Sequence, residues 1–261
     1  MELKHKAIPV VEIFGSIQGE GKRLLPATFV RFGNCNFSCP GFGCEVIAPD
    51  GTKLTTCDTA RASSIKFKDT WKYYDNYKDL VSAIDPSLNQ RLTKDGFKTD
   101  IVITGGEPLL YWKYKVFQDI LGHYISRGHK VTIETNASLD IEFFREYQKQ
   151  IMFSMSVKLS ASGELKERRI NMETITTILE NCPDSYLKFV INPETWENDI
   201  IEIKEIFDEL PIYADVYLMP LGANKEELNR NTTFVAEKCV EYGFGFSPRV
   251  HILAWDTKEA V

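Results

Sequence analysis

The sequence predicts an α/β fold with a parallel central sheet. Short apolar runs of strand character alternate with helical apolar stripes, which is the order of a sheet joined by right-handed crossovers. Glycine-rich and polar motifs come directly after several of these runs, which places a site at the carboxyl edge of the strands. The strands number roughly six, too few to close an eight-stranded barrel. We therefore expect one domain, residues 1–261, with an incomplete barrel.

The predicted elements follow from apolar patterning. Strand-like runs occupy residues 10–14, 27–32, 100–104, 130–135, 152–157, 186–191 and 214–219. Helical periodicity indicates helices around residues 77–84, 116–125, 200–210 and 234–242. Cys182 lies before a proline in a predicted turn and Cys239 lies on the last apolar stripe, so we expect both to be structural.

Composition and charge exclude several classes of function. Charged residues make up 26% of the chain and hydrophobic residues 43%, as in an ordinary globular protein. The net charge of −6 argues against a general nucleic-acid binder, which would normally be basic. No apolar run reaches the roughly 18 residues of a membrane helix. The first residues are not followed by an apolar segment, so we expect no signal peptide and a cytoplasmic location.

Four of the six cysteines lie within residues 35–57. Thiolates at this density can surround one soft metal centre, either iron–sulfur or zinc. The spacing lacks the paired Cys-x2-Cys of structural zinc sites, and an intracellular chain of this size has no need of disulfides. Cys35 and Cys39 form a Cys-x3-Cys pair, and the third ligand is either Cys44 or Cys57. Three thiolates on a four-iron cluster leave one iron open to a small molecule.

Two glycine-rich motifs follow predicted strands. Residues 15–21 read Gly-Ser-Ile-Gln-Gly-Glu-Gly, and residues 105–108 read Gly-Gly-Glu-Pro. Glycine lets the backbone turn tightly and approach a ligand, although such turns are common and alone indicate only a loop.

Taken together, the motifs resemble those of the radical S-adenosylmethionine (SAM) enzymes. The resemblance is carried by Cys35-x3-Cys39, by Cys57-Asp-Thr59 and by Thr104-Gly-Gly-Glu-Pro108. Within that superfamily the chain is similar to the 7-carboxy-7-deazaguanine synthases of queuosine and 7-deazaguanine biosynthesis. The narrower similarity adds residues 12–21, 29–31, 156–158 and 251–261, so it extends from about residue 11 to the last residue.

This resemblance implies a fold and a reaction. The fold is a partial (β/α)6-type TIM barrel, with residues 40–56 inserted in the cluster loop if Cys57 is the third ligand. The cofactors are a 4Fe–4S cluster, SAM and Mg²⁺. The implied reaction is radical conversion of 6-carboxy-5,6,7,8-tetrahydropterin to 7-carboxy-7-deazaguanine with loss of ammonia. An electron donor such as flavodoxin or ferredoxin and a homodimer are expected, with neither nucleic acid nor membrane as a partner.

The resemblance also implies the site residues. The metal ligands are Cys35, Cys39 and Cys57 for the cluster and Thr59 for Mg²⁺. The substrate-binding residues are Ile17, Gln18, Gly19, Glu20, Arg31, Thr104, His251 and Val261. The cofactor-binding residues are Asp58, Gly105, Gly106, Glu107, Glu134, Ser156, Val157, Lys158, Met219 and Pro220. Two positions depart from the family pattern, since Val157 stands where relatives have proline and Met219 lies in place of a glutamine.

Two other functions compete with this interpretation. Another radical SAM enzyme, such as a glycyl-radical activase, would share the cluster and SAM contacts but lack residues 18–21 and the Cys-Asp-Thr motif. A non-enzymatic zinc module would be colourless, whereas an iron–sulfur protein is brown.

The resemblance places the C-terminal carboxylate of Val261 in the active site. With an ordinary pKa of about 3.5 it is ionised at neutral pH and can accept hydrogen bonds from the pterin. We therefore predict that a few residues appended after Val261 raise the KM for the pterin sharply and leave uncoupled SAM cleavage intact. Unchanged steady-state kinetics in the extended protein would show that the terminus lies outside the site.

Overall fold

A computed structural model describes residues 2–88 and 98–258 of the chain. The strands are β1 (Ile8–Ile17), β2 (Pro26–Phe32), β3 (Cys44–Ile47), β4 (Lys53–Thr56), β5 (Lys72–Tyr74), β6 (Asp100–Gly105), β7 (Val131–Thr135), β8 (Met152–Met155), β9 (Tyr186–Ile191), β10 (Asp215–Pro220) and β11 (Gly245–Phe246). The helices are α1 (Ala60–Ser63), α2 (Tyr77–Ile84), α3 (Lys115–Ser126), α4 (Lys166–Arg169), α5 (Met172–Asn181), α6 (Trp196–Glu209), α7 (Lys225–Tyr242) and α8 (Val250–Trp255).

The main sheet has the order β11-β10-β9-β8-β7-β6-β2-β1-β5. Its strands are parallel from β2 to β11, while β1 pairs antiparallel with β2 and β5 pairs antiparallel with β1. Over the described residues β5 and β11 are the two edges of the sheet, so the barrel stays open. The predicted α/β fold with an incomplete parallel barrel is confirmed.

The longer helices pack on the sheet because they carry apolar stripes. In α3 the predicted stripe is buried, and it consists of Val116, Phe117, Ile120, Leu121, Tyr124 and Ile125. The central strands supply the opposite side of the core, with Ile103, Phe153 and Phe189 almost fully buried. Full burial of such a side chain stabilises the fold by about 1.5–3 kcal/mol. Cys182 and Cys239 are buried in this core, as predicted.

The first predicted loop starts later than the sequence indicated. Residues 15–17 were expected in a glycine-rich loop, but they belong to β1, where Gly15 and Ile17 pair with Thr28 and Pro26 of β2. The prediction was wrong here because backbone pairing with β2 continues through the glycine. The loop therefore comprises only residues 18–25, between β1 and β2.

The residues between Cys39 and Cys57 form a short 3-10 turn and the β3–β4 hairpin. The hairpin pairs Cys44 with Thr56, and the Thr56 hydroxyl donates to the carbonyl of Ser38 at 2.6 Å. The base of the hairpin therefore closes on the loop that carries Cys39, so Cys39 and Cys57 lie near each other although 17 residues separate them.

The cysteine loop also lies directly on the end of β6. The amides of Gly106 and Glu107 donate to the carbonyls of Phe32 and Asn34 at 3.0 and 2.9 Å. A Cβ on Gly106 would lie 1.9 Å from the carbonyl oxygen of Asn34, so only glycine allows this approach. No helix in the described ranges is long and apolar enough to cross a membrane.

We predict that Gly106→Ala destabilises the protein by roughly 1–3 kcal/mol, because the added methyl group overlaps backbone that cannot move alone. Gly15→Ala is the matched control, since its Cβ would meet only the Ser87 carbonyl at an ordinary 3.6 Å. Urea unfolding of both variants measures the difference. Equal unfolding midpoints would contradict the packing described here.

Candidate active site

A cavity of about 1300 Å³ opens at the carboxyl edge of the parallel strands. The site residues predicted from the sequence that line it are Ile17, Gly19, Glu20, Arg31, Cys35, Cys39, Cys57, Asp58, Thr59, Thr104, Gly105, Gly106, Glu134, Ser156, Lys158, Met219 and His251. Four others are described but lie outside this lining, namely Gln18, Glu107, Val157 and Pro220. Val261 lies outside the described residues.

Three cysteine thiols face the cavity close to one another. Burial is the main cause that raises the pKa of both the Cys35 and Cys39 thiols to about 12. Cys57 is brought to the loop of Cys39 by its neighbour Thr56, whose hydroxyl donates to the Ser38 carbonyl at 2.6 Å. Cys44 also lines the cavity, and its pKa is raised by burial and then by Asp58 and Cys57.

This donor set fits an iron–sulfur cluster. All six cysteines are free, and in the described ranges no three Cys, His, Asp or Glu side chains converge on a point that one ion could occupy. In a cluster each thiolate binds a different iron, so the ligands surround a larger volume than the ligands of a single ion do. A bound cation also reverses the effect of burial on a thiol, because a coordinating thiol loses its proton.

Glu164 holds the cysteine loop in place, a role that sequence reasoning missed. Its Oε1 accepts from the amides of Ser38 and Cys39 at 2.7 and 2.9 Å. Burial alone would raise the pKa of Glu164, but these hydrogen bonds hold it below its usual range. Arg168 adds a second contact by donating to the carbonyl of Asn36 at 2.7 Å. Residues 164–169 carry no motif, so nothing in the sequence indicated this role.

Glu107 lies behind the cavity wall, next to Gly105 and Gly106. Its carboxylate is fully buried and accepts from the Leu109 amide, the Thr135 hydroxyl and the Asn136 amide at 2.9, 2.6 and 2.7 Å. Both oxygens are therefore used inside the protein, where they join the end of β6 to the end of β7. Through these bonds Glu107 fixes the backbone of Gly105 and Gly106, which do line the cavity.

Glu20 lies between two cations that the sequence did not identify. Its carboxylate pairs with Lys188 of β9 and with Arg249 Nε, the latter at 3.0 Å. Burial opposes ionisation, but Lys188 and Arg249 hold the pKa of Glu20 far below its usual range. Glu20 is therefore an anion at neutral pH, and it presents acceptor oxygens to the cavity.

His251 lies against the loop that contains Gly19. The Val250 amide donates to the Gly19 carbonyl at 3.0 Å, and a Cβ on Gly19 would lie 2.8 Å from His251 Nδ1. Burial lowers the pKa of His251 below its usual value of about 6.5, so the ring is neutral at pH 7.

A second set of polar side chains in the cavity lies on strands β1, β2, β6 and β7. Arg31 of β2 pairs with Glu12 of β1 at 2.7 Å, and the Thr104 hydroxyl donates to Glu134 at 2.7 Å. Beside Arg31, the rings of Phe14 and Phe29 stack with centroids 5.2 Å apart and line the cavity. The cavity thus offers a cation, acceptors and a flat apolar wall.

Three further predicted residues make local contacts. Thr59 Oγ1 lies 3.1 Å from Cys57 Sγ. Lys158 Nζ donates to the carbonyl and the hydroxyl of Ser156, both at 2.8 Å. Gln18 is 1% exposed, and neither polar atom of its side-chain amide has a hydrogen-bond partner among the described residues. Since buried amides are normally paired, Gln18 is a position at which a ligand or water can supply the partner.

The fold and this cavity define an α/β partial barrel with a thiol-lined chamber at the carboxyl ends of its strands. No family model matches the sequence. The chain superimposes on the crystal structure of QueE from Escherichia coli with a TM-score of 0.60 and 17% identity, over 92% of this chain and 93% of that one. The superposition supports the fold of the barrel.

Curated relatives carry one name. The 7-carboxy-7-deazaguanine synthase of Halobacterium salinarum is 28% identical over 96% of this chain and 91% of the relative. The enzyme of the same name from Rhodopirellula baltica is 28% identical, over 93% and 84%. That of Haemophilus influenzae is 34% identical over 141 residues, 52% of this chain and 50% of the relative. The predicted resemblance to these enzymes is confirmed over most of the chain.

We predict that Glu164→Ala loosens the cysteine loop, because the amides of Ser38 and Cys39 lose their acceptor at a cost of about 1–3 kcal/mol. Iron per chain after anaerobic reconstitution should fall well below the wild-type value. Glu164→Gln keeps an acceptor oxygen and should retain more iron than the alanine variant. Wild-type iron content in Glu164→Ala would show that the carboxylate does not hold the loop.

Proposed function

We propose that the chain is a radical SAM- and Mg²⁺-dependent 7-carboxy-7-deazaguanine synthase. Its substrate would be 6-carboxy-5,6,7,8-tetrahydropterin, and its product would feed 7-deazaguanine biosynthesis of the queuosine type. One observation carries the proposal, namely that the three motif thiols and the Glu20 and Arg31 side chains line the same cavity. The similarity to relatives with this name along nearly the whole chain supports it.

The thiols of Cys35, Cys39 and Cys57 would hold the 4Fe–4S cluster and leave one iron for SAM. Bound there, the reduced cluster and SAM would supply the radical chemistry, and the protein supplies binding and orientation. The backbone of Gly105 and Gly106 lies at the end of β6 beside the cysteine loop, where the SAM methionine group would lie. Cys57 is favoured over Cys44 because it opens the Cys-Asp-Thr motif and follows Thr56, whose hydroxyl donates to the Ser38 carbonyl beside Cys39.

The pterin would bind at the wall of the cavity opposite the three thiols. Arg31 would take the substrate carboxylate through its planar fork, with Glu12 fixing the guanidinium at 2.7 Å. Ionised Glu20 would accept hydrogen bonds from the amine and ring N–H groups of the pterin. The stacked Phe14 and Phe29 would form an apolar surface for the flat ring and exclude water.

Other residues would complete the two subsites. Neutral His251 offers a ring nitrogen as donor or acceptor beside Gly19, and Thr104 and Glu134 provide a hydroxyl and a carboxylate at the ends of β6 and β7. The Thr59 hydroxyl would bind Mg²⁺, a hard cation that takes oxygen ligands and keeps several waters. There Mg²⁺ would orient and polarise the substrate.

The proposal extends to the rest of the assembly. One domain would carry the whole reaction, a flavodoxin or ferredoxin would reduce the cluster, and the protein would act as a homodimer. A glycyl-radical activase is the rival enzyme. Its macromolecular substrate would not need the ionised Glu20 and the paired Arg31 inside a chamber of this size.

Anaerobic turnover tests the function directly. The reconstituted protein is incubated with SAM, a chemical reductant, Mg²⁺ and 6-carboxy-5,6,7,8-tetrahydropterin, and the products are identified by mass spectrometry. The proposal predicts 7-carboxy-7-deazaguanine and released ammonia. SAM cleavage without any change in the pterin would support the rival, and a colourless protein without iron would support the zinc module.

The third cluster ligand is tested by substitution. Cys57→Ser should abolish both iron binding and SAM cleavage, whereas Cys44→Ser should leave both near the wild-type level. Iron content and the EPR spectrum of the reduced protein give the readout. The opposite pattern would make Cys44 the ligand.

The Mg²⁺ site is tested separately. Thr59→Ala should slow product formation several-fold while iron content and SAM binding stay unchanged, and Thr59→Ser should restore the rate because it keeps the hydroxyl. If turnover is indifferent both to Thr59→Ala and to removal of Mg²⁺ by a chelator, the assigned role is wrong.

A further inference from the structure

Arg249, at the start of α8, contacts three separate segments of the cavity wall. Its Nε donates to Glu20 Oε1 at 3.0 Å, its Nη2 to Asp58 Oδ2 at 2.8 Å, and its Nη1 to the Gly222 carbonyl at 2.6 Å. Only 13% of the side chain is exposed. No sequence motif points to this arginine, because its partners are 229, 191 and 27 residues away.

The charges at this point are balanced within the protein. Glu20 pairs with both Lys188 and Arg249, and Arg249 also pairs with Asp58 at 2.8 Å. Glu20, Lys188 and Arg249 are largely buried, so taking away one of them leaves an uncompensated charge. The positions of Glu20 and Asp58 are therefore fixed by the same guanidinium.

The two carboxylates belong to segments with different tasks. Glu20 lies in the loop of residues 18–25, which is assigned to the pterin. Asp58 lies between Cys57 and Thr59, which are assigned to the cluster and to Mg²⁺. Residues 18–25 are called the substrate loop and residues 57–59 the metal loop. Arg249 pairs with one carboxylate in each and therefore connects the two loops directly.

We propose that Arg249 is a positioning residue that couples these two loops, so that occupancy of either subsite orders the other. The inference depends on the proposed function for the identity of the two ligands. Coupling between two sites is reciprocal, so SAM would tighten pterin binding by the same factor as the pterin tightens SAM binding. The enzyme would thereby assemble the substrate subsite only when the metal loop is in place.

The shape of the guanidinium makes this role specific for arginine. A planar fork with several fixed N–H groups can bind two carboxylates and a carbonyl at once, whereas the ammonium of lysine is a point charge. Arg249→Lys therefore keeps the charge that balances the carboxylates but cannot hold all three partners. It is the variant that separates coupling from simple charge balance.

The first test uses the metal-free protein and no ligand. Amide hydrogen exchange is measured for residues 18–22 and 57–60 in wild type, Glu20→Gln, Arg249→Lys and the double variant. Compared with wild type, Glu20→Gln should speed exchange at residues 57–60 several-fold. Compared with Arg249→Lys, the double variant should show little further increase. Arg127→Lys, at an exposed arginine that pairs with Asp85 and does not line the cavity, is the control and should resemble wild type. Unchanged exchange at 57–60 in Glu20→Gln would overturn the coupling.

The second test uses the reconstituted holoenzyme. The Kd for the carboxypterin is measured with and without SAM, and SAM should tighten it at least about fivefold in wild type, the low end of typical couplings. In Arg249→Lys the two Kd values should converge while iron content stays unchanged. If SAM changes the Kd for the carboxypterin by the same factor in wild type and in Arg249→Lys, the coupling is refuted and the proposed function still stands. If wild type binds no pterin, the proposed function fails, and the exchange experiment still decides whether Arg249 links the loops.

Discussion

The site depends on the close backbone contact between the cysteine loop and the end of β6. Gly106 allows the carbonyl of Asn34 to approach where any side chain would overlap it, and the amide of Glu107 donates to that carbonyl. Glu164 then fixes the next turn through the amides of Ser38 and Cys39. All of these contacts are made to the backbone of the cysteine loop, so they fix the path of the chain that carries Cys35 and Cys39. A cluster held there would lie directly beside the strand end assigned to SAM.

Electrostatics divides the cavity into two regions. On the thiol side, burial keeps Cys35 and Cys39 protonated until a metal cation compensates the charge. On the opposite side, Lys188 and Arg249 keep Glu20 ionised in spite of its burial. Buried ion pairs are weak evidence for stability, since desolvation offsets much of the attraction. Their value here is that they fix the orientation of Glu20 and keep a permanent acceptor in the cavity, where the proposed pterin would offer N–H groups.

The sequence predicted the fold class, and most of the site residues it predicted line the cavity, because those features are local. Strand patterns, glycines after strands and cysteine spacing are all contained in short segments. Arg249, Lys188 and Glu164 were missed because Glu20 and the cysteine loop, which they contact, lie more than 100 residues away and no motif surrounds them. Glu107 was expected at the cofactor, but its hydrogen bonds to β7 become visible only when the two strand ends are adjacent. Residues 40–56 were predicted as an insertion, but the sequence did not show that they pair as the β3–β4 hairpin.

A crystal structure of the anaerobically reconstituted protein, measured at the iron absorption edge, would test most directly whether these thiols form the metal centre. The account predicts anomalous density inside the cavity, bonded to the Sγ atoms of Cys35, Cys39 and Cys57, with Cys44 unbound. Iron bonded to Cys44 in place of Cys57, or density that appears only at the zinc edge, would contradict it.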